Sequence, residues 1–128
     1  SVVSQTYKNW EIVAINDGSS DDTEKILMNY KNDGIPITYY KQTNQGFASA
    51  RNKALELAKG EWIAIIDHDD NCLPNRLEVQ ASHIKNNPNA KLFFADTIHF
   101  SDAEPEIRRQ FDRINPYELN LRAEKVYL

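Results

Sequence analysis

Carboxylates form the densest chemistry in the sequence. Asp67-His68-Asp69-Asp70 places three acids within four positions, directly after the apolar run Trp62-Ile63-Ala64-Ile65-Ile66. Asp17 follows Ile12-Val13-Ala14-Ile15-Asn16 in the same way, and Asp96 follows Leu92-Phe93-Phe94-Ala95. In an open α/β sheet, ligands bind beyond the carboxyl ends of the strands, so parallel packing would gather these acids at one edge. Gathered carboxylates repel and raise each other's pKa unless a cation or a donor-rich ligand joins them. A hard divalent cation, Mg²⁺ or Mn²⁺, resolves that conflict because it prefers oxygen ligands. Mg²⁺ usually takes one or two protein carboxylates, and its remaining positions suit a substrate diphosphate.

Other readings of Asp67-x-Asp69 compete with this one. Asp67, Asp69, Asn71 and Glu78 fall at EF-hand spacing, but Cys72 stands where that loop needs Gly and Pro74 interrupts it. A phosphatase-type nucleophile also uses a strand-terminal Asp-x-Asp, yet Asn71 replaces its usual Thr or Val and no later Lys completes the site. A receiver-like signalling domain clusters acids around Mg²⁺ but needs a Lys at the end of a late strand, whereas Lys91 stands at a strand's beginning. The acids could also merely cap the helix that follows, which accounts for one of them more readily than for three.

The elements that must position these residues follow from the apolar pattern. Ile12–Ile15 reads as a buried strand, continuous rather than alternating, ended by the turn cluster Asn16-Asp17-Gly18-Ser19-Ser20. A helix is predicted next, capped by Asp21 with Glu24 as box partner, carrying Ile26, Leu27 and Tyr30 on its apolar face and stopped at Asn32-Asp33-Gly34. Ile35–Tyr40 reads as a strand with Pro36 at its start, and Phe47–Ala58 as an Ala-rich helix with Gly60 as its C-cap. Trp62–Ile66 is the most marked strand pattern. Pro74 suits the first turn of a helix bearing Leu77, Ala81 and Ile84, ended by Asn86-Asn87-Pro88. Leu92–Ala95 reads as a further strand, and Pro116–Leu128 has room for one short helix. The alternation implies an α/β fold with a mostly parallel sheet flanked by helices.

Composition bounds the rest. The 128 residues suit one domain with a thin core, at 41% apolar and 27% charged. Fifteen Lys and Arg against nineteen Asp and Glu, a net charge of −4, argue against nucleic acid as the partner. Cys72 stands alone and reads as a small buried filler, and no apolar run nears the roughly 18 residues of a membrane span. A soluble intracellular protein is the expectation. The chain opens Ser1-Val2-Val3-Ser4 without Met and closes on Tyr127-Leu128, which reads as two cut ends.

With both acidic turns placed, the chain resembles the family 2 glycosyltransferases of the GT-A fold. The resemblance rests on four stretches in order: Ile15-Asn16-Asp17-Gly18-Ser19-Ser20-Asp21-Asp22-Thr23, Asn44-Gln45-Gly46-Phe47-Ala48-Ser49-Ala50-Arg51-Asn52, Gly60-Glu61-Trp62-Ile63, and Asp67-His68-Asp69-Asp70 through Pro74. Ser4 to Glu11, Asn87-Pro88 and Phe94-Ala95-Asp96 add to it, pointing to the branch that builds bacterial surface polysaccharides. One departure is Asn16, where an Asp often stands first in the acidic turn.

The resemblance implies a Rossmann-like, nucleotide-sugar-binding half over residues 1–128, lacking the first strand and the acceptor-binding half. It implies a UDP- or dTDP-type sugar donor, a saccharide or lipid-linked acceptor, inverting transfer and Mn²⁺ or Mg²⁺ as cofactor. Asp17 would accept the imide N–H of the base, the alternative being a turn residue bonding backbone. Asp69 would ligate the metal, and Asp67 would take the ribose hydroxyls or a metal-bound water. Arg51 would bring positive charge near the base or diphosphate, steadied by Asp17, while Asn44 and Gly46 shape the loop around the nucleotide. Asp96 would contact the donor sugar or hold the sheet. No residue stands out as the catalytic base. A cytoplasmic location is implied, with peripheral attachment to the inner face of the cell membrane through a following segment as the alternative. From the chain alone, the expectation is donor binding without complete transfer, or a folded piece that binds nothing tightly.

Overall fold

The computed structural model describes residues 1–95, 98–101 and 104–109. The chain divides into two compact units, residues 1–87 and 88–128. In the first unit, strand β1 (Ile12–Asp17) leads to helix α1 (Thr23–Asn32), strand β2 (Ile37–Gln42), helix α2 (Phe47–Leu57) and helix α3 (Arg76–Asn86). β1 and β2 pair in parallel, in register from Ile12 opposite Ile37 to Asp17 opposite Gln42. α2 packs against β1 and α1 against β2. This is the α/β arrangement that the apolar pattern implies, a parallel pair joined by a helical crossover. The second unit contains an antiparallel pair, β3 (Ile98–Ser101) and β4 (Glu104–Arg109), with a register shift between His99 and Ser101.

Local signals account for several boundaries. α1 stops in a Schellman turn, where Ile35 N–H donates to the Tyr30 carbonyl at 3.1 Å and Gly34 N–H to the Lys31 carbonyl at 3.1 Å. Gly34 takes φ +88°, which a Cβ would make costly. Other expectations are corrected. Asp21 sits one residue outside the N-cap, accepting from the Thr23 N–H at 3.1 Å, and Glu24 pairs with Lys41 instead of closing a capping box. α2 ends on Ala58 in an extended conformation, so Gly60 is not its C-cap. Lys59 N–H is satisfied from a distance, by the Glu11 carboxylate at 2.6 Å. Pro74 lies in the turn ahead of α3 rather than in its first turn.

Two predicted strands are not strands. Trp62–Ile66 and Leu92–Ala95 form no ladder, and the strand near the second begins at Ile98. Apolar, β-branched residues favour a strand, but a strand exists only where a neighbour supplies hydrogen-bond partners. Among the described residues, β1 pairs only with β2. For the same reason β1 is half-buried along its length, apart from buried Asn16, instead of enclosed as its continuous apolar run suggests.

The core is thin. Ile37 and Cys72 are the buried apolar residues among those described, and Cys72 is the filler expected of it. Gln5, 1% exposed, is the most enclosed side chain. Its Nε2 donates to the Leu73 carbonyl at 2.8 Å and the Ser1 carbonyl at 3.1 Å, while its Oε1 accepts the Leu77 N–H at 3.0 Å. That last bond satisfies one of the four donors left open at the start of α3, so a residue 72 positions away completes the helix. Thr6 N–H donating to the Pro74 carbonyl at 2.8 Å, and Thr6 Oγ1 to Glu78 at 2.7 Å, fix the same junction.

Candidate functional site

The carboxyl ends of β1 and β2 lie side by side and position the first half of the site. Asn16 closes the turn after β1, its Oδ1 accepting the Ser19 N–H at 2.7 Å while its Nδ2 donates to the Tyr39 hydroxyl at 3.0 Å. Asn16 both accepts and donates, so one neutral side chain closes the turn and ties it to β2 without placing a second charge beside Asp17. Gly18, at φ +85°, lets the loop after β2 approach, because a Cβ there would lie 3.0 Å from the Asn44 nitrogen.

Asp17 holds that loop. Its Oδ1 accepts from Gln42 Nε2 at 2.8 Å and from the Gln45 N–H at 2.8 Å, and its Oδ2 accepts the Gly46 N–H at 2.9 Å. Asn44 Oδ1 also accepts the Gly46 N–H, at 3.2 Å. Gly46 is the N-cap of α2, so the Asp17 carboxylate stands where the helix dipole favours negative charge. These donors, the Gln42 amide foremost, keep the Asp17 carboxyl below the ordinary value of 3.8. Two oxygens offer about four acceptor positions. Three are filled, which leaves one on Oδ2.

The second half lies on the acidic turn. Asp70 N–H donates to the Asp67 carbonyl at 3.1 Å, which makes Asp67–Asp70 a β-turn with all four residues exposed. Arg51, on the second turn of α2, reaches it, with Nη2 3.0 Å from Asp67 Oδ1 and 3.3 Å from Oδ2. The same guanidinium lies 5.5 Å from the centre of the Phe47 ring, which is 75% exposed. Arg51 is therefore steadied by Asp67 and not by Asp17. It sits beyond the capping residues that Asp17 engages, on the side of the helix that faces the second turn. Asp21, past the end of the first acidic turn, is held below 3.8 by the Thr23 hydroxyl and N–H.

Of the residues picked out by sequence, Asp17, Asn44 and Gly46 form one connected set, and Arg51 and Asp67 another, both anchored on the start of α2. Asp69 shares the exposed turn with Asp67, and among the described residues its carboxylate takes no hydrogen bond or ion pair. Asp96 lies outside the described residues. No group of three or more His, Cys, Asp or Glu able to cage a metal occurs among the described residues. The donor set fits a different kind of metal site. Asp67 and Asp69 offer hard oxygens on one turn, enough for an open Mg²⁺ or Mn²⁺ site completed by a ligand's phosphates.

Gln42 and Ser49 went unnoticed in the sequence. Gln42 Nε2 also contacts Ser49 Oγ at 3.4 Å, and Ser49 Oγ donates to Gln45 Oε1 at 3.1 Å. The signal that could have found Gln42 is register, since parallel pairing puts the last residue of β2 beside Asp17.

Comparison with known proteins gives a consistent answer. The family model described as glycosyl transferase family 2 matches residues 1–126. An uncharacterized glycosyltransferase of Rickettsia typhi is 44% identical over 80 residues, 62% of this chain and 24% of that protein. The putative teichuronic acid biosynthesis glycosyltransferase TuaG of Bacillus subtilis is 35% identical over 107 residues, 82% of this chain and 42% of its own length. WfgD of Escherichia coli, named a UDP-Glc:alpha-D-GlcNAc-diphosphoundecaprenol beta-1,3-glucosyltransferase, is 41% identical over 88 residues, 68% of this chain and 34% of its own. The chain thus spans between about a quarter and two fifths of these relatives. No solved structure matches it.

Proposed function

The chain belongs to glycosyl transferase family 2, and on that premise we propose that it carries the donor-binding part of a metal-dependent, inverting glycosyltransferase. The donor is a UDP- or dTDP-sugar and the acceptor a saccharide or lipid-linked saccharide of a bacterial surface polysaccharide. The names of TuaG and WfgD support that acceptor class. The observation that carries the reading is the open acceptor position on Asp17, at the start of a helix whose next turn extends Arg51 to the second acidic turn.

In this reading the free lone pair of Asp17 Oδ2 accepts the imide N–H of uracil or thymine. Asn44 and Gly46 shape the loop beside the base. The diphosphate then lies toward Arg51 and the Asp67–Asp70 turn, where Asp69 and Asp67 would hold Mn²⁺ or Mg²⁺. The bound metal would neutralise charge growing on the leaving diphosphate. Arg51 adds a second positive charge there, exchanging its Asp67 partner for phosphate oxygens. In the transfer itself the acceptor hydroxyl oxygen bonds to the anomeric carbon as the bond to the diphosphate breaks, with inversion. The hydroxyl proton passes to a carboxylate base that is none of these residues.

Calorimetry of UDP binding, with Mn²⁺ and with EDTA, tests the reading. Binding is expected to require the metal and to fall sharply in Asp69→Ala and Asp17→Asn. UDP affinity unchanged by EDTA and by both substitutions would overturn it.

A further inference from the structure

The role of Asp17 depends on how its carboxylate is oriented, and the neighbouring strand controls that orientation. Asp17 and Gln42 are register partners at the last rung of the parallel pair, so their side chains leave the same face at adjacent positions. Gln42 is half-buried, and its amide spans two elements, with Nε2 2.8 Å from Asp17 Oδ1 and 3.4 Å from Ser49 Oγ in the first turn of α2. Ser49 in turn donates to Gln45 Oε1, the side chain of the residue whose N–H binds Asp17. Gln42 thus sits where β1, β2, the 43–46 loop and α2 meet.

We propose that Gln42 is a positioning residue for the nucleotide, holding the Asp17 carboxylate so that Oδ1 is committed to the protein and Oδ2 turns its remaining lone pair outward. The geometry supports this division. Oδ1 receives both Gln42 and the Gln45 N–H, while Oδ2 receives the Gly46 N–H alone. Without Gln42 the carboxylate loses the one side-chain bond that ties it to the adjacent strand, and its terminal torsion, which has broad minima, is held by the Gln45 and Gly46 N–H groups of the loop alone. The Gln42 bond is also the foremost cause of the lowered Asp17 pKa, as expected of a donor aimed at the charged carboxylate.

This inference rests on the proposed contact between Asp17 and the base, and the test separates the two. UDP binding is measured by calorimetry in Gln42→Leu, Asp17→Asn and Ser49→Ala, and the Asp17 carboxyl is titrated by ¹³C NMR. Gln42→Leu is expected to weaken UDP binding about tenfold, the size of one hydrogen bond to a charged group. It should also move the Asp17 midpoint upward toward 3.8. Ser49→Ala, which loosens only the helix side of the junction, should change affinity less than about twofold, its lost contact being neutral and long. If Gln42→Leu binds UDP normally while Asp17→Asn does not, the positioning role is wrong and the base contact stands. If neither variant affects binding, the base contact itself fails. Should Gln42→Leu not fold, UDP affinity as high in the shorter-reaching Gln42→Asn as in the unaltered protein would overturn the proposal equally.

Discussion

Gln5→Met is the most demanding single test of how the site is supported. Met keeps the length and volume of the side chain but removes all three hydrogen bonds. The Ser1 carbonyl keeps a partner in Ser4 Oγ at 2.9 Å. The Leu73 carbonyl keeps one in the Arg76 N–H at 3.0 Å. The Leu77 N–H does not, and Gln5 is 1% exposed, so water cannot replace it without displacing the side chain. One orphaned donor costs about 1–3 kcal/mol, and burying the Met thioether returns part of that, for a net loss of about 1.5 kcal/mol. With a urea slope near 1.5 kcal/mol/M, the midpoint should fall by about 1 M. Thr6→Val is the control. Its bond to Glu78 is exposed, so the cost should stay below about 0.5 kcal/mol. A Gln5→Met loss no larger than that of the control, under about 0.5 kcal/mol, would refute the view that this residue completes the start of α3.

Three further outcomes are expected. Gly34→Ala and Gly18→Ala both force a side chain to positive φ, but only Gly18 faces backbone, with Asn44 nitrogen at 3.0 Å. Urea unfolding should show about 1–2 kcal/mol for Gly34→Ala and about 3 kcal/mol or more for Gly18→Ala. Asp17 is more acidic folded than unfolded, so its stabilisation is fully present above the unfolded value near 3.8 and is lost as pH falls through the lower, folded value. The stability gap between the protein and Asp17→Asn should therefore stay constant near neutral pH and close below 3.8, which urea titrations at stepped pH will measure. Arg51→Gln removes an exposed ion pair whose side chains are 36% and 57% accessible, so it should cost only about 0.2–1 kcal/mol of stability. UDP binding should nevertheless weaken in that variant, and a parallel calorimetric and thermal comparison separates the two effects.

Much of the first unit was legible in sequence because its signals are local. The Asn16–Ser20 turn, the Gly34 stop, the Gly46 loop and the apolar spacing of α1 and α2 each act within a few residues, and β1, α1, β2 and α2 follow from them. The same holds for the acidic turns, whose residue types declare their chemistry wherever they sit. The failures share a cause as well. Trp62–Ile66 has strand composition but finds no ladder among the described residues, and composition cannot report the presence of a neighbour. Arg51 is compatible by charge with either Asp17 or Asp67, and only its place on α2 decides between them.

The sequence by itself therefore determined the order β1, α1, β2, α2, the two carboxylate turns and the family, all of which are written in short-range pattern. Tertiary structure decided the partners. It set Gln42 beside Asp17 through strand register, Gln5 beneath α3 across 72 positions, and Arg51 against Asp67. Those are contacts between residues distant in the chain. Their free energy depends on burial and on which groups are already satisfied, quantities that exist only once the chain has folded.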